Sequence, residues 1–169
     1  WERRAAGGWP RGVMPVVFSD FEGRPAYRIT PLMAEVSGNG EIRPRSLQHS
    51  WPKHTGEDSW LLVREIARAL AGMHEKRVAH GNLKPGNIFL DTNGRVQITD
   101  WTLGNMPGVG HFEFTDALLY QPPEQLRENA GYLEEAGYRW DVYAFGALAY
   151  RLLTGKFPRC DETSAKVAP

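Results

Sequence analysis

The sequence predicts an α+β domain, and three observations carry that reading. From Ser59, the apolar residues Leu62, Ile66, Leu70 and Met73 recur at helical spacing, with Val63 and Ala67 widening the stripe. Two β-prone runs, Asn87–Leu90 and Val96–Thr99, flank a short polar link containing Asn93-Gly94, a hairpin signal. The run from Tyr138 to Gly155 is helical but apolar on nearly every face, which describes a buried helix.

The remaining elements follow in chain order. The first twelve residues are rich in Gly, Arg and Pro and read as loose. Met14–Phe18 and Ala26–Thr30 are β-prone runs joined by a polar, Gly-containing turn. Ala34 to Asp58 is polar and broken by Gly, Asn and Pro, so it reads as a long connection with at most a short helix. The helix opening at Ser59, with Glu57 or Ser59 to cap or charge its start, should end near residues 76–78. Residues 100–123 hold Gly and Pro with no sustained period and read as loop. A brief helix begins around Pro123–Gln125. The last helix stops where Gly155 is followed by Pro158.

A length of 169 residues suits one domain with a real core. Twenty Lys and Arg balance twenty Asp and Glu, so no global field favours nucleic acid or an anionic membrane. The single cysteine, Cys160, rules out an internal disulfide framework and suits a reducing compartment. No apolar run approaches the roughly 18–20 residues that span a bilayer; the longest, from Val142, is broken by Arg151. The start lacks both the apolar segment of a signal peptide and an initiator Met, so the chain reads as an internal piece of a cytoplasmic protein, with membrane anchoring of the parent outside this segment left open.

The chemistry concentrates in "HGNLKPGNIFLDTNGRVQITDWT", His80 to Thr102, where a His, a Lys, two Asn and a late Asp surround two apolar runs. "YQPPEQL" and "WDVYAFGALAYRLLTGKFP" follow it. Together, in this order and with these gaps, "HGNLKPGN" and "TDWT" within the first stretch and the two later ones resemble the large lobe of a eukaryotic-type Ser/Thr protein kinase. The resemblance implies a protein kinase-like fold, incomplete: a mostly helical large lobe with a catalytic-loop hairpin, plus the last strands of the small lobe. Residues 1–33 would then be the end of the small lobe and the hinge, with Thr30 and Met33 among the nucleotide-contacting positions; residues 34–169 would be a partial large lobe.

The family pattern H-R-D-x-x-x-x-N, D-F-G and A-P-E becomes His80-Gly81-Asn82 with Asn87, Asp100-Trp101-Thr102 and Pro122-Pro123-Glu124. By resemblance, Lys84 would steady the transferred phosphate, and Asn87 and Asp100 would bind ATP and hold Mg²⁺, to which their oxygens are suited. Asn82 stands where the family Asp accepts the substrate's hydroxyl proton. Its amide has nearly the same shape but is a negligible base, and losing such a group costs about 10²–10⁴ in rate. Gly81 removes an Arg that pairs with activation-loop phosphate in many members. Thr102 replaces a flexible Gly, and Asp116-Ala117 stands in for Gly-Thr.

The chain contains no Gly-rich loop, no strand Lys with its helix Glu, and no Arg partner for Glu124. The substitutions at Asn82, Gly81, Thr102 and Asp116-Ala117 imply a pseudokinase acting in signalling or as a scaffold on a protein partner, within a longer chain that supplies the missing segments. One alternative is an active Ser/Thr kinase. Another is a small-molecule phosphotransferase, since the loop is also similar to that of aminoglycoside phosphotransferases; "QPPEQL" and "WDVYAFG" count against it.

His80 and Trp101 are read as core residues of the lobe. Asp141 would hold the catalytic-loop backbone, as its family counterpart does, or else cap its helix. His49, His54, His74 and His111 lack metal-ligand spacing and read as surface residues. Cys160 reads as incidental.

Overall fold

The computed structural model describes residues 8–51, 56–101, 119–127 and 134–158. In chain order these form β1 (Phe18–Asp20), β2 (Tyr27–Ile29), β3 (Ala34–Val36), β4 (Ile42–Pro44), α1 (Leu47–Ser50) and α2 (Glu57–Glu75), then a 3-10 turn (Pro85–Asn87), β5 (Ile88–Leu90), β6 (Val96–Ile98), α3 (Pro123–Arg127) and α4 (Glu134–Thr154). The strands make three separate antiparallel hairpins, β1–β2, β3–β4 and β5–β6.

The core forms where α2 and α4 pack on each other and on β5–β6. Leu62, Val63, Ile66, Leu70 and Met73 all face inward from α2, as their spacing predicts, and Ala69 rather than Ala67 completes the stripe. Ile66, Ile88, Ile98 and Leu148 are fully shielded from water. The acids Glu57 and Asp58 lie in the first turn of α2, where they complement the helix dipole; Ser59 is buried one residue further on and does not cap it.

The far end of α2 closes in a Schellman arrangement. Val78 N–H donates to the Met73 carbonyl at 3.0 Å and Arg77 N–H to that of His74 at 2.8 Å. Arg77 takes the left-handed conformation (φ 57°) that Gly usually fills there. Val78 and Met73 share one apolar cluster, which supplies the contact that accompanies this motif. The chain is thereby turned back into the core just before His80.

Several expectations are corrected. The ladder of the first hairpin runs over Phe18–Asp20 rather than Met14–Phe18. Met14 and Val13 are buried elsewhere: residues 12–14 lie parallel to β6, with Met14 N–H donating to the Ile98 carbonyl and Ile98 N–H to that of Gly12, both at 2.8 Å. Residues 9–12 are accordingly not loose. Trp9 Nε1 donates to the Val13 carbonyl at 2.7 Å, and the Trp9 ring packs on Trp101 with centroids 5.9 Å apart.

The stretch after Ala34 holds a second hairpin, β3–β4, besides its short helix. Both strands are three residues long and largely exposed, so they leave no apolar period to read.

Finally, α4 is buried on one face only. Trp140, Ala144, Ala147, Leu148 and Leu152 meet the core, while Val142, Tyr143, Tyr150 and Leu153 are 40–65% exposed. The stop at Gly155 (φ 72°) is as expected: its N–H bonds the Arg151 carbonyl at 2.8 Å.

Candidate active site

The loop from His80 to Asn87 is held from beneath by one carboxylate. Asp141 lies within α4, so it does not cap that helix, and it is 1% exposed. Its Oδ2 accepts from His80 N–H and its Oδ1 from Gly81 N–H, both at 2.7 Å. A buried charge is costly unless saturated with hydrogen bonds. Here two main-chain donors satisfy it, and His74 Nε2 lies 2.8 Å from the same Oδ2. His74, expected at the surface, is therefore a structural partner. It sits in the last turn of α2, facing α4, with its ring edge-on to Tyr138.

His80 is fully buried, and its two ring nitrogens make different bonds. Nδ1 accepts from Asn82 N–H at 3.1 Å, so the proton of the neutral ring resides on Nε2, which donates to the Thr99 carbonyl at 3.0 Å. Burial pushes its pKa below the ordinary 6.5, outweighing the upward pull of the Asp141 and Asp100 charges. A neutral, doubly hydrogen-bonded imidazole is a spacer between the loop and the end of β6, in keeping with the core role expected of it.

Asn87 joins the same two segments. Its Nδ2 donates to the Asn82 carbonyl at 2.8 Å, and its own carbonyl accepts from Thr99 N–H at 2.9 Å. Lys84 enters the 3-10 turn in extended conformation, and its carbonyl accepts from Asn87 N–H at 2.9 Å. Pro85 supplies the fixed φ that starts the turn. Asn82 lines a small cleft with Gly81, Leu83, Gln125 and Trp140, and Gln125 Nε2 ties α3 to the loop through the Gly81 carbonyl at 2.9 Å. Asn82, Lys84 and Asn87 thus share one turn, and Thr99 brings Asp100 beside it.

Asp100 adopts a left-handed backbone (φ 60°), a region Asp tolerates better than most residues. Its carboxylate forms an ion pair with Arg28 of β2, 72 residues earlier in the chain. The Arg28 guanidinium also lies over the Trp101 ring, 5.6 Å from its centroid. Trp101 is buried among Val13, Met73 and Val78, as its expected core role requires. Thr30 and Met33 belong to the half-buried link between β2 and β3, where the Met33 carbonyl accepts from Arg45 N–H at 2.9 Å. Among the described residues, no main-chain hydrogen bond joins Thr30 or Met33 to Asp100.

As arranged, these side chains do not fit a resident divalent metal. The side-chain amide oxygen of Asn87 is suited to one, but the Asp100 carboxylate is taken by Arg28. No three His, Cys, Asp or Glu side chains among the described residues come together as a metal-holding group. Thr102, Asp116, Ala117, His54, His111 and Cys160 lie outside the described residues.

The family model for the protein kinase domain matches residues 26–168. This chain belongs to the protein kinase family. It is 31% identical to Aurora kinase C of Mus musculus over 137 residues, covering 80% of this chain and 47% of that protein. It is 26% identical to serine/threonine-protein kinase PrkC of Bacillus subtilis, covering 79% of this chain and 18% of that protein. An Aurora kinase of Patiria pectinifera is 32% identical, with 75% and 30% covered. The chain therefore spans less than half the length of these curated relatives.

Within this kinase domain, sequence reasoning missed Arg28 and His74. Arg28 had a signal: a lone cation between the apolar Tyr27 and Ile29 on a strand. His74 had none, because its partner Asp141 is 67 residues away. No helix among the described residues is long and apolar enough to cross a membrane.

Proposed function

We propose that this kinase domain is a pseudokinase: a catalytically weakened module that acts in signalling or as a scaffold by binding a protein partner. The observation that carries the reading is Asn82. Its main chain is fixed by His80 Nδ1 on one side and Asn87 Nδ2 on the other, so the loop has the frame of a phosphotransfer site. What stands in that frame is an amide, which can orient a hydroxyl but cannot take its proton.

The frame descends from a nucleotide site. In this reading Thr30 and Met33 flank the base, Lys84 meets the phosphates, and Asn87 and Asp100 face them. ATP, with Mg²⁺ as its usual companion in the family, is the cofactor these positions served. Chemistry at the γ-phosphate would be largely positional, and this chain contributes the orientation of the acceptor through Asn82 and charge through Lys84.

Isotope-labelled ATP, given to the full-length protein with a generic acceptor protein, tests the proposal. Transfer by the wild type should lie about 10²-fold or more below that of Asn82→Asp. Stoichiometric transfer by the wild type, with no gain from Asn82→Asp, would instead mark an active Ser/Thr kinase, the reading that the retained Lys84 and Asn87 would then favour.

A further inference from the structure

We infer that Arg28 is the resident cation of this site: its guanidinium takes the Asp100 carboxylate that a divalent metal would need, and so keeps metal out. The inference rests on the nucleotide-site origin proposed above and adds a property to it, namely that the site is closed to metal by a side chain of its own.

Three observations converge on Arg28. Its ion pair with Asp100 spans β2 and the turn after β6, and the two side chains are only 24% and 38% exposed. The guanidinium also covers the face of buried Trp101, so two adjacent residues of the turn grip one cation. Lastly, β2 is inverted: the apolar Tyr27 and Ile29 are 46% and 49% exposed, whereas the charged residue between them points inward. Burial alone would choose the opposite face. On its inward face Arg28 meets both Asp100 and Trp101.

The chemistry of the cation makes the closure durable. A guanidinium spreads its charge over a rigid plane that can meet a carboxylate and an aromatic face at once. Its planar fork matches a carboxylate, and its weaker hydration makes partial burial less costly than for an ammonium. A small divalent ion dehydrates reluctantly and depends on carboxylate oxygen. With Asp100 neutralised, Asn87 alone offers it a single uncharged ligand.

Mn²⁺ alone, followed by the loss of its free paramagnetic signal on titration into the full-length protein, reads this directly. Arg28→Met should bind Mn²⁺ at least about tenfold more tightly than wild type, and Arg28→Met/Asp100→Asn should lose that gain. Equal Mn²⁺ affinity in wild type and Arg28→Met would overturn the inference.

Denaturant unfolding provides a second measurement, with Arg28→Gln as the milder variant. The effects of Arg28→Gln and Asp100→Asn should be less than additive in the double variant if the pair exists in solution; additive effects would overturn it. Neither readout involves phosphotransfer, so the inference can fail while the Asn82 reading stands, and the reverse.

Discussion

Asp141 Oδ1 and Gly81 N lie 2.7 Å apart in a fully shielded setting, joining residues 60 positions apart in the chain. One helix side chain thereby replaces a secondary-structure partner for the main chain at the start of the His80–Asn87 loop. Asp141→Asn keeps the shape but leaves one oxygen to serve two main-chain donors, and it turns an –NH₂ toward one of them. A loss of about 2–3 kcal/mol in unfolding free energy is expected, from the value of hydrogen bonds to a charged acceptor. Urea unfolding of the two proteins measures it; a change under 0.5 kcal/mol, roughly the scale of a surface substitution, would contradict the role.

The neutral His80 makes stability depend on pH in a definite direction. Its folded pKa is below 6.5 because the ring is buried. As pH falls through about 6.5, the unfolded chain takes up a proton that the folded chain refuses. The unfolded state then binds more protons, so unfolding free energy drops, at most by about 1.4 kcal/mol per pH unit from this group. The stability it confers is complete above 6.5 and is lost on approach to the folded pKa. Unfolding midpoints at pH 7.5, 6.5 and 5.5, with ¹⁵N shifts showing an Nε2-protonated ring throughout, check both parts.

Gly12 has no room for a side chain. Its φ is 82°, and a Cβ placed there would lie 2.8 Å from the Cβ of Ala69. Gly12→Ala should cost about 1–3 kcal/mol, from the left-handed backbone and the overlap together. Adding Ala69→Gly should recover the overlap part only, and a thermal-melt cycle of the four proteins separates the two.

The two faces of α4 should answer differently to truncation. Leu148→Ala opens a cavity in the core and should cost about 2–5 kcal/mol. Leu153→Ala, on a residue 48% exposed, should stay within roughly 0.5 kcal/mol. Equal costs in the full-length protein would show that α4 is covered on both faces.

Much of the frame was legible in the residues because its signals are local. The α2 stripe, the Asn93-Gly94 link and the Gly155 stop each depend on neighbours within a few positions, and each fell where expected. The β3–β4 hairpin was not legible: its strands are three residues long and solvent-facing, so no alternation marks them. Nor was the fate of α4's outer face, since an apolar residue carries no label for what covers it. In the site, the loop order set Asn82, Lys84 and Asn87 close in sequence, and the bonds of Asn87 to the Asn82 and Thr99 main chains bring Asp100 alongside. The partners that fix them, Arg28 and His74, come from 67–72 residues away and are properties of the fold, not of any local pattern.

The strap formed by residues 12–14 has a mechanical consequence. Its two hydrogen bonds run to Ile98, two residues before Asp100. Because strap and strand are parallel, tension on the chain ahead of Trp9 loads both bonds in shear, the geometry in which they resist together instead of peeling one by one. Such tension would act on the Asp100 turn without touching it, and quickened amide exchange at Ile98 would be its gauge.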